Sequence, residues 1–446
     1  MSQQSQLALL GKKRFLPFFL TQFLGAFNDN IYKNALLLMV AFAAAESLPF
    51  NSDLFINLAA GLFILPFFLF SSAAGQICDK YEKSMIIRRV KLLEIVIMAV
   101  ASGFIITQNY LVLLALLFLM GTQSAFFGPV KYAIIPQHLH DDELIGGNAL
   151  VEMGTFVAIL AGTLGAGILI EQPDAHIWVA CSVVLFAILG YLVCRFIPTA
   201  QAAAPDLKMN WNLFQQSLIM IRETRSNDSV HKSIIAISWF WALGAAYLTQ
   251  LPNLASEILK GSPQVVSIML AVFTIGVAAG SLFCGRLSKG SVEPGIVPIG
   301  ALGLSLFGID LYFAITPATT ADLLSINAFI ENSENLRVLL DLGMIGFFGG
   351  LFIVPLYAMV QQRTPENRRA QAIAALNVQN SLYMVGSAVF GMVFLGVLEL
   401  SIEQFFLTLG VLNLLVCALI FRRVPEFIER FMIRFVKKSP VTDHQK

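Results

Sequence analysis

Twelve apolar runs, each near the length that carries a helix across about 30 Å of hydrocarbon, recur along this chain of 446 residues. They fall at roughly 15–45, 55–75, 90–107, 110–135, 148–170 and 176–197, and, after a polar interval, at roughly 233–258, 264–287, 295–316, 338–361, 370–396 and 402–421. Within lipid every backbone amide must find its partner inside the protein, so runs of this length become spanning helices. Hydrophobic residues make up 57% of the chain and charged ones 13%, which excludes a soluble globular protein. The expected fold is an all-α membrane protein with twelve transmembrane helices in two six-helix pseudo-repeats. The expected organisation is a bundle at 1–197, a cytoplasmic linker at 198–231, a second bundle at 232–422 and an amphipathic tail at 423–446.

Charge placement orients the chain. With both termini in the cytoplasm, the basic residues gather on that side: Lys12, Lys13, Arg14, Lys80, Lys83, Arg88, Arg89, Lys91, Arg195, Lys208, Arg222, Arg225, Lys232, Arg286, Lys289, Arg363, Arg368, Arg369, Arg422 and Arg423. The opposite loops hold only Lys260 and Arg337, the asymmetry expected of a positive-inside protein. The first span is too long for a signal-peptide core, so it is expected to stay. Cys78, Cys181, Cys194, Cys284 and Cys417 lack paired spacing and read as small apolar residues. In the linker, Trp211, Phe214, Leu218 and Ile221 recur at helical spacing, as do Val424, Phe427, Ile428, Phe431, Met432 and Phe435 in the tail, opposite Glu429, Arg430, Arg434, Lys437 and Lys438. Both patterns predict interfacial helices drawn to membrane lipids.

Inside the first run stand Asn28, Asp29, Asn30, Lys33 and Asn34. An ionisable group at bilayer depth costs about 2.5–3.5 kcal/mol on insertion scales, so such groups mark cavities and pathways. Asp29 and Lys33 are one helical turn apart and suited to partial neutralisation. Other polar groups in the spans are Lys131 and Tyr132, Asn148 and Glu152, Gln250, and Asn377 and Asn380. Asp29 or Glu152 suits an ammonium, Lys131 a phosphate, and the amides suit hydroxyls; Lys131 is also in place to pair with either acid. The seventh span carries Trp239 and Trp241, read as lipid-facing or interfacial aromatics. Gly162 and Gly165 to Gly167 read as packing positions. Asp141, Asp142 and Glu143 with His138 and His140 form a hydrated loop and not a closed metal-ligand set. No nucleotide-binding loop or catalytic triad is present, so no cofactor, metal, enzymatic activity or nucleic-acid partner is expected.

Ala73-Ala74-Gly75 closes the second run and Ala278-Ala279-Gly280 the eighth, an echo between the halves. The first continues as Gln76-Ile77-Cys78-Asp79-Lys80-Tyr81-Glu82-Lys83, which resembles the loop signature of the major facilitator superfamily. That resemblance implies a conformational latch in which Gly75 permits close helix approach while Asp79, Lys80 and Lys83 hold the outward-open state. The second copy, Gly280 to Arg286, lacks the aspartate. Gln22 to Asn30, Phe127 to Ile134 with Gly147 to Glu152, and Gly349 to Leu356 with Ala372 to Asn380 are similar to segments of bacterial lysophospholipid transporters. The resemblance implies inward movement of lysophosphatidylethanolamine and lysophosphatidylglycerol across a bacterial inner membrane, for re-acylation by an acyltransferase partner. It also implies a basic residue in the seventh span, which Ser233 to Leu259 does not contain. A proton-coupled exporter of amphipathic drugs or metabolites, with Asp29 and Glu152 titrating, is the rival reading.

Overall fold

The apolar runs close their backbone hydrogen bonds within long helices, and a computed structural model describes residues 6–41, 52–318 and 323–436. Among the described residues twelve helices have 18 residues or more: α1 Leu16–Ala41, α2 Ser52–Lys80, α3 Lys83–Ile106, α4 Tyr110–Ala133, α5 Leu144–Ile170 and α6 Ala175–Cys194, then α7 Asp228–Asn253, α8 Pro263–Ser288, α9 Val297–Ala314, α10 Ser333–Arg363, α11 Arg369–Gly391 and α12 Ile402–Arg423. Ten of them are long and apolar enough to cross a membrane. The two outside that set are α1 and α3, the helices that carry Asn28-Asp29-Asn30 with Lys33, and Lys91 with Glu94.

Side-chain caps set several helix starts by satisfying amides that have no intrahelical acceptor. Glu82 accepts from the amides of Ser84 and Met85 at α3, Asn109 from Val112 at α4 and Asn227 from Val230 at α7, while Ser401 and Gln404 form a capping box at α12. Because Glu82 starts α3 at Lys83, the third helix begins well before position 90. Lys83 and Lys91 are thereby carried from the expected basic loop into buried positions.

Helix pairing repeats with a shift of six. In the first half α1 packs on α5, α2 on α4, and α3 on both α4 and α6; in the second α7 packs on α11, α8 on α10, and α9 on both α10 and α12. The contacts between halves obey the same relation, with α2 on α11 answered by α8 on α5, and α4 on α11 answered by α10 on α5. Gly162 serves the α1–α5 contact, since a Cβ there would lie 2.5 Å from the Phe27 carbonyl oxygen, whereas one at Gly167 would meet open space.

The chain between α6 and α7 runs along the α2–α3 turn, where Gln76 exchanges two hydrogen bonds with the Asn210 backbone and Lys80 donates to the Leu207 carbonyl. It then forms the linker helix Leu213–Thr224, whose Gln216, Ser217, Met220 and Thr224 turn inward. Trp211 and Phe214 are 69% and 68% exposed, so the apolar stripe faces outward, as on a helix at a lipid interface.

The tail differs from a free interfacial helix. Val424 and Phe427 are buried, and Glu426 takes a bidentate pair from Arg363 at 2.5 and 2.6 Å. Arg430 holds Glu293, and Lys437 and Lys438 lie outside the described residues. Hydrogen bonds from Arg363 hold the Glu426 carboxyl below its ordinary value of 4.5. A carboxylate with a lowered folded pKa contributes fully above its unfolded value and loses that contribution as pH falls through the folded one. Protection at 424–436, taken as exchange relative to the intrinsic rate at each pH, is therefore expected to be high at neutral pH and to fall as pH drops below 4.5; equal protection at both would show the clamp to be inert.

Candidate functional site

At 100° per residue, consecutive polar residues of a helix cannot share one face. Asn28 donates to Glu94 of α3 at 3.0 Å, and Asn30 donates to the Ala26 carbonyl of its own helix, beside Gly162 of α5. Only Asp29 of the three lies against the polar face of α4, accepting from Ser124 at 2.7 Å and leaving its second oxygen unpartnered. Of the three expected binding groups, Asp29 is the one that faces α4. No salt bridge joins Asp29 to Lys33 among the described residues, and the Lys33 ammonium lies over the Phe63 ring at 5.5 Å from its centroid.

Ser124, Gly128 and Lys131 follow at four- and three-residue steps on one face of α4, about 10 Å from first to last. Lys131 donates to Thr155 at 2.7 Å, and Thr155 in turn donates to Gln22 at 3.0 Å. The expected Lys131–Glu152 pair does not form within 4.0 Å among the described residues; Glu152 instead accepts from Tyr132 at 2.6 Å. One oxygen of Glu152, the Gln22 amide nitrogen and the Asn377 amide nitrogen are buried without partners. Asn377 faces α4, its nitrogen 2.6 Å from where a Cβ on Gly128 would stand, and Asn380 accepts from Ser238.

Two other expectations change. Asn148 is fully buried and exchanges two hydrogen bonds with Gln361 of α10, at 2.7 and 2.9 Å, with its other N–H on the Leu144 carbonyl, so it clasps the halves. Gln250 stands apart, bonded to Asn253, in a separate cavity of about 500 Å³ with Pro317 and Glu403. Trp241 is not a lipid-facing aromatic: it stacks on Phe156 of α5 and donates to Tyr357, which stacks on Tyr132 at 4.2 Å. Trp239 donates to Asn413 of α12, within its own half.

The described end segments 6–14 and 424–436 lie with most of the basic residues at one end of the bundle, and there the halves are closed. Asp79 accepts from the Ala370 and Gln371 amides at 3.1 and 3.2 Å and from the Gln371 side chain at 3.1 Å, a carboxylate at the positive N-terminus of α11. Gly75 makes this possible, because a Cβ would lie 2.6 Å from that of Ala374. Lys83 reaches the Gln201 carbonyl and not a carboxylate. Toward the other end a Cβ on Gly61 of α2 or Gly386 of α11 meets nothing, and Leu382, Val385 and Val389 of α11 are exposed.

A buried ion pair inside the first half is absent from the expected site. Lys91 and Glu94 are each 1% exposed and 2.6 Å apart. Gln123 donates to Glu94 at 3.1 Å, and its amide oxygen lies 3.2 Å from the Ser124 hydroxyl that donates to Asp29, which brings this pair beside Asp29. The signal was present as a base and an acid three apart in the third apolar run.

A twelve-helix bundle with interior charges and two quasi-equivalent halves defines a membrane transporter. The sequence pattern described as Major Facilitator Superfamily matches residues 18–330 and 233–432, and the chain belongs to that family. It is 27% identical over 389 residues to the lysophospholipid transporter LplT of Cronobacter sakazakii, covering 84% of this chain and 87% of that one. A second LplT, from Enterobacter sp. (strain 638), is 27% identical over 82% of this chain and 84% of its own. Among solved structures the fold is similar to the human organic anion transporter MFSD10, with a TM-score of 0.70 and 15% identity over 92% of this chain and 99% of that one. It is also similar to the Escherichia coli fucose:proton symporter FucP, with a TM-score of 0.68 and 13% identity over the same shares.

Proposed function

We propose that the protein moves lysophospholipids, chiefly lysophosphatidylethanolamine and lysophosphatidylglycerol, inward across a bacterial inner membrane by alternating access. The observation that carries this reading is Lys131, a buried ammonium hydrogen-bonded to the neutral Thr155 hydroxyl, which also meets Gln22, with the unpartnered Asn377 amide nitrogen against Gly128 three residues before it on α4 and that of Gln22 against Gly154. A phosphate supplies the acceptors that these donors lack. The unpartnered oxygen of Asp29 is the place for an ethanolamine ammonium, and Asn380 and Tyr132 line the path between halves. The open space at Gly61 and Gly386 and the exposed Leu382, Val385 and Val389 suit a lateral way in from lipid for an acyl chain between α2 and α11. Sequence likeness to the LplT proteins supports the same substrate class.

On this reading the basic end is cytoplasmic and both termini lie there, in keeping with the positive-inside rule. The halves at 1–197 and 232–422 rock about the site, and Gly75, Asp79, Lys80 and Lys83 bias the outward-open state. The imported lipid then passes to an acyltransferase. Spheroplasts expressing the protein are expected to accumulate labelled lysophosphatidylethanolamine saturably and to ignore the diacyl form. Transport that ignores lysolipids and collapses with an uncoupler would favour proton-coupled export instead.

A further inference from the structure

The two interfaces related by the repeat, α2 on α11 and α5 on α8, are closed by different means. At the first, Asp79 binds the start of α11. At the second, the motif copy from Gly280 to Arg286 has no aspartate to offer the start of α5. What lies there instead is the amino-terminal segment. Residues Gln6–Gly11 form a short 3₁₀ helix, and the Gln6 side chain enters the seam. Its amide nitrogen donates to the Leu282 carbonyl of α8 at 2.7 Å. Its Cβ lies 3.1 Å from where a Cβ on Gly146 of α5 would stand. Gly285 of α8 is the socket: any Cβ there would collide with the Gln6 amide oxygen.

Beyond Gln6, the described ties of the segment run to the first half. Leu9 is buried beside Gly146. Lys12 and Arg14 converge on Glu143, just before α5, at 2.9 and 2.7 Å, and Arg14 also donates to the His138 carbonyl at 2.8 Å. Anchored on the first half and hydrogen-bonded to the second, it spans the seam that must part when the basic end opens.

We infer that the amino-terminal segment is a second latch, with Gln6 supplying across the α5–α8 seam the polar tie that the degenerate motif lacks. It deepens the alternating-access reading on which it rests, and it assigns the segment a conformational role. Closure of the basic end then rests on Asp79 and Gln6 together with the Asn148–Gln361 clasp, and losing either of the first two shifts the resting population toward opening at that end.

The test is hydrogen–deuterium exchange on the full-length protein in lipid nanodiscs without substrate, read at 144–148, 282–288 and 370–376. Gln6→Ala, and Gly285→Ala, which expels Gln6 while leaving its side chain intact, are expected to raise exchange severalfold at 144–148 and 282–288. Asp79→Asn is expected to do so at 370–376, and Leu7→Ala, on an exposed side chain, to change nothing. If Asp79→Asn opens its seam while both Gln6 and Gly285 variants match the unsubstituted protein, the second latch is refuted and alternating access stands. If no variant changes exchange, both the latch and the rocking mechanism are refuted. Greater exchange spread over the whole chain in Gly285→Ala alone reports misfolding, and Gln6→Ala then decides.

Discussion

Asp29→Asn is expected to remove lysophosphatidylethanolamine uptake at sub-saturating substrate while the protein remains in the membrane at its usual level. Asparagine keeps the acceptor that Ser124 Oγ engages at 2.7 Å, so the α1–α4 contact survives and only the charge is lost. A charge-assisted hydrogen bond contributes about 1.5–3 kcal/mol, which corresponds to roughly a tenfold to hundredfold rise in apparent KM. Asp29→Ala removes the Ser124 acceptor as well, and no measurable uptake is expected. Lysophosphatidylglycerol, which carries no ammonium, should be the less affected substrate in the asparagine variant. Equal loss for both head groups would mean that Asp29 holds the helices and does not read the head group, and unchanged uptake would remove it from the site.

Neutralising either member of the Lys91–Glu94 pair alone is expected to cause the largest loss of stability in the chain. Each is 1% exposed, and their contact is 2.6 Å. Removing one partner strands a buried charge, at a cost of about 3–5 kcal/mol. Lys91→Met and Glu94→Gln should each depress membrane levels and lower the Tm of the solubilised protein by many degrees. The double variant should recover most of both, because glutamine keeps one acceptor, for Asn28 or for Gln123, while the other amide can turn to accept from its new N–H, and methionine fills the space beside Gly25 and Gly190 where Lys91 now lies. Two single variants as stable as the starting protein would contradict the description of the pair. A double variant as poor as the singles would mean that the attraction itself, and not avoidance of a lone charge, holds α3 in place.

The reasons for what could and could not be read from the residues are local. The twelve runs were legible because hydrocarbon thickness imposes a length and backbone satisfaction imposes a helix. Asp29 was legible because a carboxylate in such a run is expensive. Lys91 was not, because it follows Arg88 and Arg89 and joins the basic cluster by proximity; the Glu82 cap moves the start of α3 and carries Lys91 inside. Orientation about a helix axis was equally hidden. Asn28, Asp29 and Asn30 are adjacent in sequence yet turn to α3, α4 and α5, and Asn148 finds a partner, Gln361, 213 residues away. Trp241 looked interfacial by type, but it meets Phe156 and Tyr357 only once the halves are assembled. Gln6 gave no pattern at all, since its role depends on a socket at Gly285.

The most direct measurement is movement of labelled lysophosphatidylethanolamine into sealed proteoliposomes containing the purified protein, compared with Lys131→Met. Methionine preserves the length of the side chain but cannot hold a phosphate. Saturable, protein-dependent uptake is expected, with an apparent KM about tenfold to a hundredfold higher in the variant and no movement of diacyl phosphatidylethanolamine in either. Uptake that is absent from the unsubstituted protein, or equal in the two, would contradict the assignment of this pocket to a lysophospholipid head group.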